Sequence, residues 1–186
     1  MKSIDILVQE HNNIQRVLAV VRKACMDIVE GGDVDTEDFL AIVDFIKNYA
    51  DKHHHGKEED MLFADMSNEL GEAIKVGPVQ GMLIEHDMGR RFVKLLEEAI
   101  KRYQAGDKGA KVDIIANAIG YAHLLNDHID KENNVLYQFA LRQLKDETKE
   151  KLDREFNEYE SLDEHQERRE KYIHMVKELQ KKYNLI

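Results

Sequence analysis

His54-His55-Gly56-Lys57-Glu58-Glu59-Asp60-Met61-Leu62-Phe63 and His128-Ile129-Asp130-Lys131-Glu132-Asn133-Asn134-Val135-Leu136-Tyr137 are two versions of one stretch. Each places a glutamate four residues after a histidine, a lysine just before that glutamate, and a Leu-aromatic pair beyond it. Each also has a Glu-His pair upstream at nearly the same distance. His54 follows Glu10-His11 by 43 positions (54 − 11), and His128 follows Glu85-His86 by 42 (128 − 86). The chain therefore carries an internal repeat whose unit is His plus His-x-x-x-Glu.

That spacing has a chemical meaning. Residues i and i+4 stand one turn apart on one helix face, so His54 and Glu58 aim at one point, as do His128 and Glu132. A carboxylate can bridge two metals while an imidazole caps one, and this donor set suits iron or manganese better than calcium or magnesium. A single His-x-x-x-Glu is ordinarily a solvated pair. Two copies with matched upstream histidines and matched flanks read as two halves of a metal site, with the metal offsetting the cost of burying six polar groups. A ferritin-like bundle would need Glu-x-x-His on two helices. The chain has none, and Asp51-Lys52-His53-His54 gives only one aspartate variant. Zinc sites usually close with four ligands, often cysteines; here six candidates converge and the chain has one cysteine, Cys25.

Around the motifs the sequence reads as all-α. Helix 1 is expected from Ser3, as N-cap, to Val29, with a stripe of Ile4, Leu7, Ile14, Leu18, Val21 and Ile28. Helix 2 is expected from Asp35 or Thr36 to Leu70, and Gly71 to Gly77 reads as a loop. Pro78 suits the first position of helix 3, which reaches Tyr103. Helix 4 covers Val112 to Leu144. Short turns make this an up-down four-helix bundle over residues 1–146. Residues 147–186 form a charged C-terminal extension. Its Ser161-Leu162-Asp163-Glu164 reads as a capping box for an additional helix. The stripe Tyr172, Val176, Leu179, Tyr183 and Ile186 should pack on the bundle or form a homodimer. An excess of 37 acidic over 27 basic residues disfavours nucleic acid as a partner. The absence of an apolar N-terminal block or a membrane-length apolar run predicts a cytoplasmic chain with no membrane partner.

The motif segments, over residues 3 to 143, resemble the hemerythrin HHE cation-binding family. The resemblance implies a hemerythrin-type bundle holding two iron ions, bridged by oxo or hydroxo, with His11, His54, Glu58, His86, His128 and Glu132 as ligands. It also implies a small diatomic or peroxide ligand. Oxygen-carrying hemerythrins have a further histidine one turn after the helix 3 ligand, where this chain has Arg90. Four histidines and two glutamates are instead similar to the catalytic domain of iron-centre repair proteins, whose cysteine-bearing N-terminal domain is missing here. Each iron would then keep one open position, which predicts oxidation by oxygen, peroxide or nitric oxide rather than reversible oxygen carriage. A non-catalytic oxygen or iron sensor is the alternative.

The remaining residues carry weaker expectations. Glu10 and Glu85 read either as surface carboxylates or as acceptors of imidazole N–H and proton relays. Lys57 and Lys131 should snorkel outward. His53 and His55 should point elsewhere around the helix, to the surface or to positions behind the ligands; His123 is a weaker ligand candidate, and His165 and His174 should be exposed, although one of these five could still supply the missing fifth histidine. Gly89 leaves room beside His86 for a small ligand, or for close packing.

Overall fold

A computed structural model describes residues 1–186 as six helices with no strand. Helix α1 is Lys2–Val29, α2 spans 36–70, α3 spans 72–104 and α4 spans 110–143. Helices α5, Asp146–Ser161, and α6, Asp163–Lys182, follow. Each turn of the bundle has a glycine in the left-handed region where a side chain would be strained: Gly31 at φ 102°, Gly71 at 88° and Gly106 at 100°. These short turns force antiparallel neighbours, giving an up-down bundle with two extra C-terminal helices. No helix is long and apolar enough to cross a membrane.

The helices are not uniform. Ile46–His55, Glu58–Leu62, Lys75–Val79 and Glu132–Leu136 are π-helical, so their hydrogen bonds reach one residue further back. Such a turn rotates every following side chain by about 100° relative to a plain α-helix. Two of the four π segments lie in the repeated motif, one beginning at each repeated glutamate, and Ile46–His55 leads into the first copy. The fourth contains Pro78, which has no N–H and whose ring would collide with the carbonyl four residues back in an α-helix. The expected 71–77 loop is therefore only Gly71, and α3 begins at Glu72 rather than Pro78.

Each bundle helix carries apolar residues at both ends of a short polar block. Ile4 and Leu7 precede Glu10-His11 on α1, and Ile14 follows; Tyr49 and Leu62 flank 53–58 on α2. Antiparallel packing brings the four blocks level. The result is a buried polar layer between two separate apolar clusters.

Two capping expectations fail for tertiary reasons. Ser3 is not an N-cap: it lies inside α1, buried, and donates from both backbone N and Oγ to Asp153 Oδ1 of α5. The Ser161–Glu164 box does not form, because Ser161 Oγ turns back to the Glu158 carbonyl at the end of α5. Asp35 does cap α2, accepting from the Asp38 N–H at 3.1 Å. The extension is two helices rather than one. Leu152 and Phe156 of α5 join one apolar cluster, while Tyr172, Val176, Leu179 and Tyr183 of α6 join the other. The stripe thus packs on its own bundle; Ile186 alone of that stripe is exposed.

Phe156 is wholly buried. Phe156→Ala should cost about 3–5 kcal/mol in urea unfolding, the loss for emptying a packed aromatic site. A loss under about 1 kcal/mol would mean that α5 is not integral to the core.

Candidate metal centre

The polar layer brings His11 of α1, His54 and Glu58 of α2, His86 of α3, and His128 and Glu132 of α4 together, all essentially without solvent exposure. Each of the four histidines turns Nδ1 outward to a protein acceptor. His54 Nδ1 donates to Glu10 Oε2 at 2.9 Å and His128 Nδ1 to Glu85 Oε2 at 2.9 Å. His11 Nδ1 donates to Asn133 Oδ1 at 2.8 Å and His86 Nδ1 to Glu59 Oε1 at 2.6 Å. With Nδ1–H so engaged, every Nε2 lone pair faces the middle, the orientation a metal requires.

The repeat explains this pattern. Glu10 and Glu85 occupy equivalent positions and each holds the motif histidine of the next helix. Glu59 and Asn133 each follow a repeated glutamate, and each holds the upstream histidine of the other half. Glu10 and Glu85 are therefore imidazole acceptors, not surface carboxylates. Glu132 reaches both halves: Oε2 lies 3.2 Å from His11 Nε2, and Oε1 lies 3.1 Å from His128 Nε2. Glu58 Oε2 lies 3.6 Å from both His54 Nε2 and His86 Nε2.

The cluster fits a cation and is incomplete without one. His11 Nε2, His54 Nε2, Glu58 Oε2 and both Glu132 carboxylate oxygens are buried with no hydrogen-bond partner, a costly state for polar atoms unless something else binds them. Burial and repulsion from Glu132 push Glu58 well above the usual carboxylate range. Glu132 is held low despite its burial, by His128 and His11. Two carboxylates this close cannot both ionise unless positive charge lies between them. Burial, with His11 alongside, brings His54 down to about 4, leaving a neutral ring suited to ligation. Two groups of donors lie within reach of a common ion: His11, His54, Glu58 and Glu132, and His55, Glu58, His86 and His128.

His55 was missed in the sequence. Neither it nor His53 lies at the surface; both are buried, and His53 takes the other expected place, behind the ligands against Glu10. His55 stacks on His86 with ring centroids 3.8 Å apart, and its Nε2 is buried and unpaired. Its only sequence signal was Asp51, one turn earlier, whose Oδ1 accepts from His55 Nδ1 at 3.4 Å. The four-histidine count is thereby incomplete as a description of the cluster. Tyr137 was legible only as a flank; its hydroxyl donates to Glu58 Oε1. Its repeat counterpart is Phe63, so Glu132 has no such donor.

His53 faces away from the cluster, 3.1 Å from Glu10 and 3.2 Å from Glu160 of α5. Burial would lower it, but hydrogen bonds to those carboxylates outweigh burial and raise it. Lys57 does not snorkel. It is completely buried and donates to both Glu10 and Glu160. The Glu10–His53–Glu160 cluster thus already holds a cation, the Lys57 ammonium. Lys131, its repeat counterpart, donates to Glu85 but stays 43% exposed, since no extra helix covers that half. His165 is buried beside Tyr159, with ring centroids 3.7 Å apart, contrary to expectation; His123 and His174 are exposed. Arg90 donates to Asp51, Glu59 and Asp87, clamping the partners of His55 and His86. Beside them a cavity of about 250 Å³ is lined by Ile46, His55, His86, Gly89, Arg90 and Tyr121 among others. Room next to Gly89 is therefore real, although a Cβ there would sit 3.4 Å from the Tyr121 ring.

The family model for the hemerythrin HHE cation-binding domain matches residues 2–140. No curated protein matches the chain, and no solved structure does.

The two lysines should separate in metal-free protein. Lys57→Ala strands buried carboxylates and should cost about 3–5 kcal/mol. Lys131→Ala should cost at most about 1 kcal/mol. Equal losses in urea unfolding would contradict the unequal covering of the two halves.

Proposed function

The chain belongs to the hemerythrin HHE cation-binding domain family, and on that premise we propose that it holds two irons between His11, His54, Glu58, His86, His128 and Glu132 and reacts there with oxygen, peroxide or nitric oxide. The observation that carries this reading is the set of unpaired, buried Nε2 and carboxylate atoms facing one another across the polar layer. Bound there, the irons would supply electrons and coordination positions for a small oxidant. The chain's own residues do the rest. Glu10 and Glu85 fix the tautomer and direction of His54 and His128, and raise the basicity of their inward nitrogens. Glu132, with one oxygen toward each half, and Glu58, with Oε2 equally near His54 and His86, would hold the irons together with the four histidines. Tyr137 holds a proton against Glu58. The cavity beside His86 and Gly89 has space for a diatomic or peroxide molecule but not for a large substrate. The physiological setting in this reading is a cytoplasmic response to oxidative or nitrosative stress. Residues 1–146 form the iron domain and 147–186 its covering extension.

A second reading, an oxygen or iron sensor, is favoured by one observation. Glu10 contacts both His54 and Lys57, and Lys57 contacts Glu160 of α5. A change at His54 therefore has a short, buried route to the C-terminal helices.

The expected iron content is about two per chain, as in other di-iron bundles. His54→Ala and His128→Ala should lose most of it; full retention in both would refute the ligand assignment. Glu58→Ala and Glu132→Ala should abolish magnetic coupling between the irons. A normal coupled signal in either variant would remove that residue as a bridge. Reduced protein exposed to oxygen, and then cleared of it, should stay oxidised and turn over again only with a reductant. Repeated return to the reduced spectrum on gas removal alone would establish reversible carriage instead.

A further inference from the structure

We propose that the outer face of α1 and α4, at the Gly31 end of the bundle, is an interface with a second copy of this chain, the two α1 helices lying antiparallel across a two-fold axis at Met26. On α1 the core takes Val21, Ala24, Cys25 and Ile28. The opposite face of a surface helix is ordinarily polar. Here it carries Met26, 46% exposed, and Val29, 73% exposed. These two meet Ile115 and Ile119 of α4 along a groove of about 260 Å³, with buried Cys25 in its floor. Val112, 70% exposed, stands on the same face of α4 as Ile119. A contiguous apolar strip on two neighbouring helices, open to water, marks a contact surface.

The charges at the ends of the groove specify the partner. Arg22 and Glu30 both line it, eight residues apart (30 − 22), with Met26 midway. That separation is about 12 Å along the helix axis. Neither makes a side-chain ion pair within the chain, whereas Lys23 and Asp27 between them pair with each other. The strip is therefore complementary to itself. Turned end over end about Met26, a second copy sets its Glu30 against Arg22 and its Arg22 against Glu30, and lays one methionine on the other. This is the reciprocal pattern of an isologous dimer. The formal charge of −10 repels two copies in most orientations. The strip itself is neutral, so this face is where that repulsion is least. The α6 stripe is not the interface, because Tyr172, Val176, Leu179 and Tyr183 are buried in their own core.

The reading is independent of the metal centre, and sedimentation equilibrium of the whole chain tests it. Wild type should form a concentration-dependent dimer. Val29→Glu, at a position the monomer core does not use, should weaken it at least about tenfold. Arg22→Glu and Glu30→Arg should each do the same, since either one sets like charges against each other twice across the axis. An equimolar mixture of Arg22→Glu and Glu30→Arg should recover the dimer, because each copy then supplies the charge that the other lacks. Urea unfolding of the variants should match wild type at concentrations where all are monomeric. A wild type that stays monomeric to about 1 mM, as a face for a different protein would leave it, would overturn the proposal. So would a dimer that Val29→Glu leaves intact, or a mixture of the two charge reversals that remains as weakly associated as either alone.

Discussion

Two carboxylates, Glu58 and Glu132, sit fully buried at the centre of the bundle with inward imidazole nitrogens around them, and both can be ionised together only if positive charge completes the layer. In a low-dielectric interior the repulsion between two ionised carboxylates is large, and unpaired polar atoms add to it. The protein does not relieve this locally. It has turned the Nδ1 protons outward, to Glu10, Glu85, Glu59, Asn133 and Asp51, and left the lone pairs inward. Both apolar clusters can then be understood as walls of this layer, sealing it from either end.

The duplication gives the layer two matched halves, and two substitutions and one difference in covering then make the halves differ. His55 stands where the other half has Ile129, Tyr137 where it has Phe63, and Lys57 lies under α5 whereas Lys131 lies near solvent. Both substitutions place the added polar group in the first half or on its Glu58. The C-terminal helices are part of the same asymmetry, because Glu160 is the second anion that Lys57 requires once it is removed from water. An extension that merely capped the bundle would need only the apolar contacts of Phe156 and Val176. The buried Glu160–Lys57–Glu10–His54 chain ties it to the centre as well.

Much of this was legible because i, i+4 spacing is local geometry. His54 with Glu58, and His128 with Glu132, converge wherever a helix forms, and the matched upstream histidines specified the other two helices. Glu10 and Glu85 were legible as candidates for the same reason. What escaped depended on distant partners or on helix distortion. His55 should stand about 100° around an α-helix from His54, yet the π-helical run Ile46–His55 changes where that face points. Lys57 reads as a snorkelling lysine until Glu160, 103 residues away, is brought over it. Ser3 reads as a cap until Asp153 takes its hydroxyl. Pro78 reads as a helix start until the widened turn that accommodates it is seen.

The most direct test of the central claim is anomalous scattering at the iron edge from crystals of the iron-loaded chain. The account predicts two peaks inside the polar layer, one among His11, His54 and the two glutamates, the other beside His86 and His128 and sharing those glutamates. A single peak, or a peak among Glu10, His53 and Glu160 in place of Lys57, would contradict it.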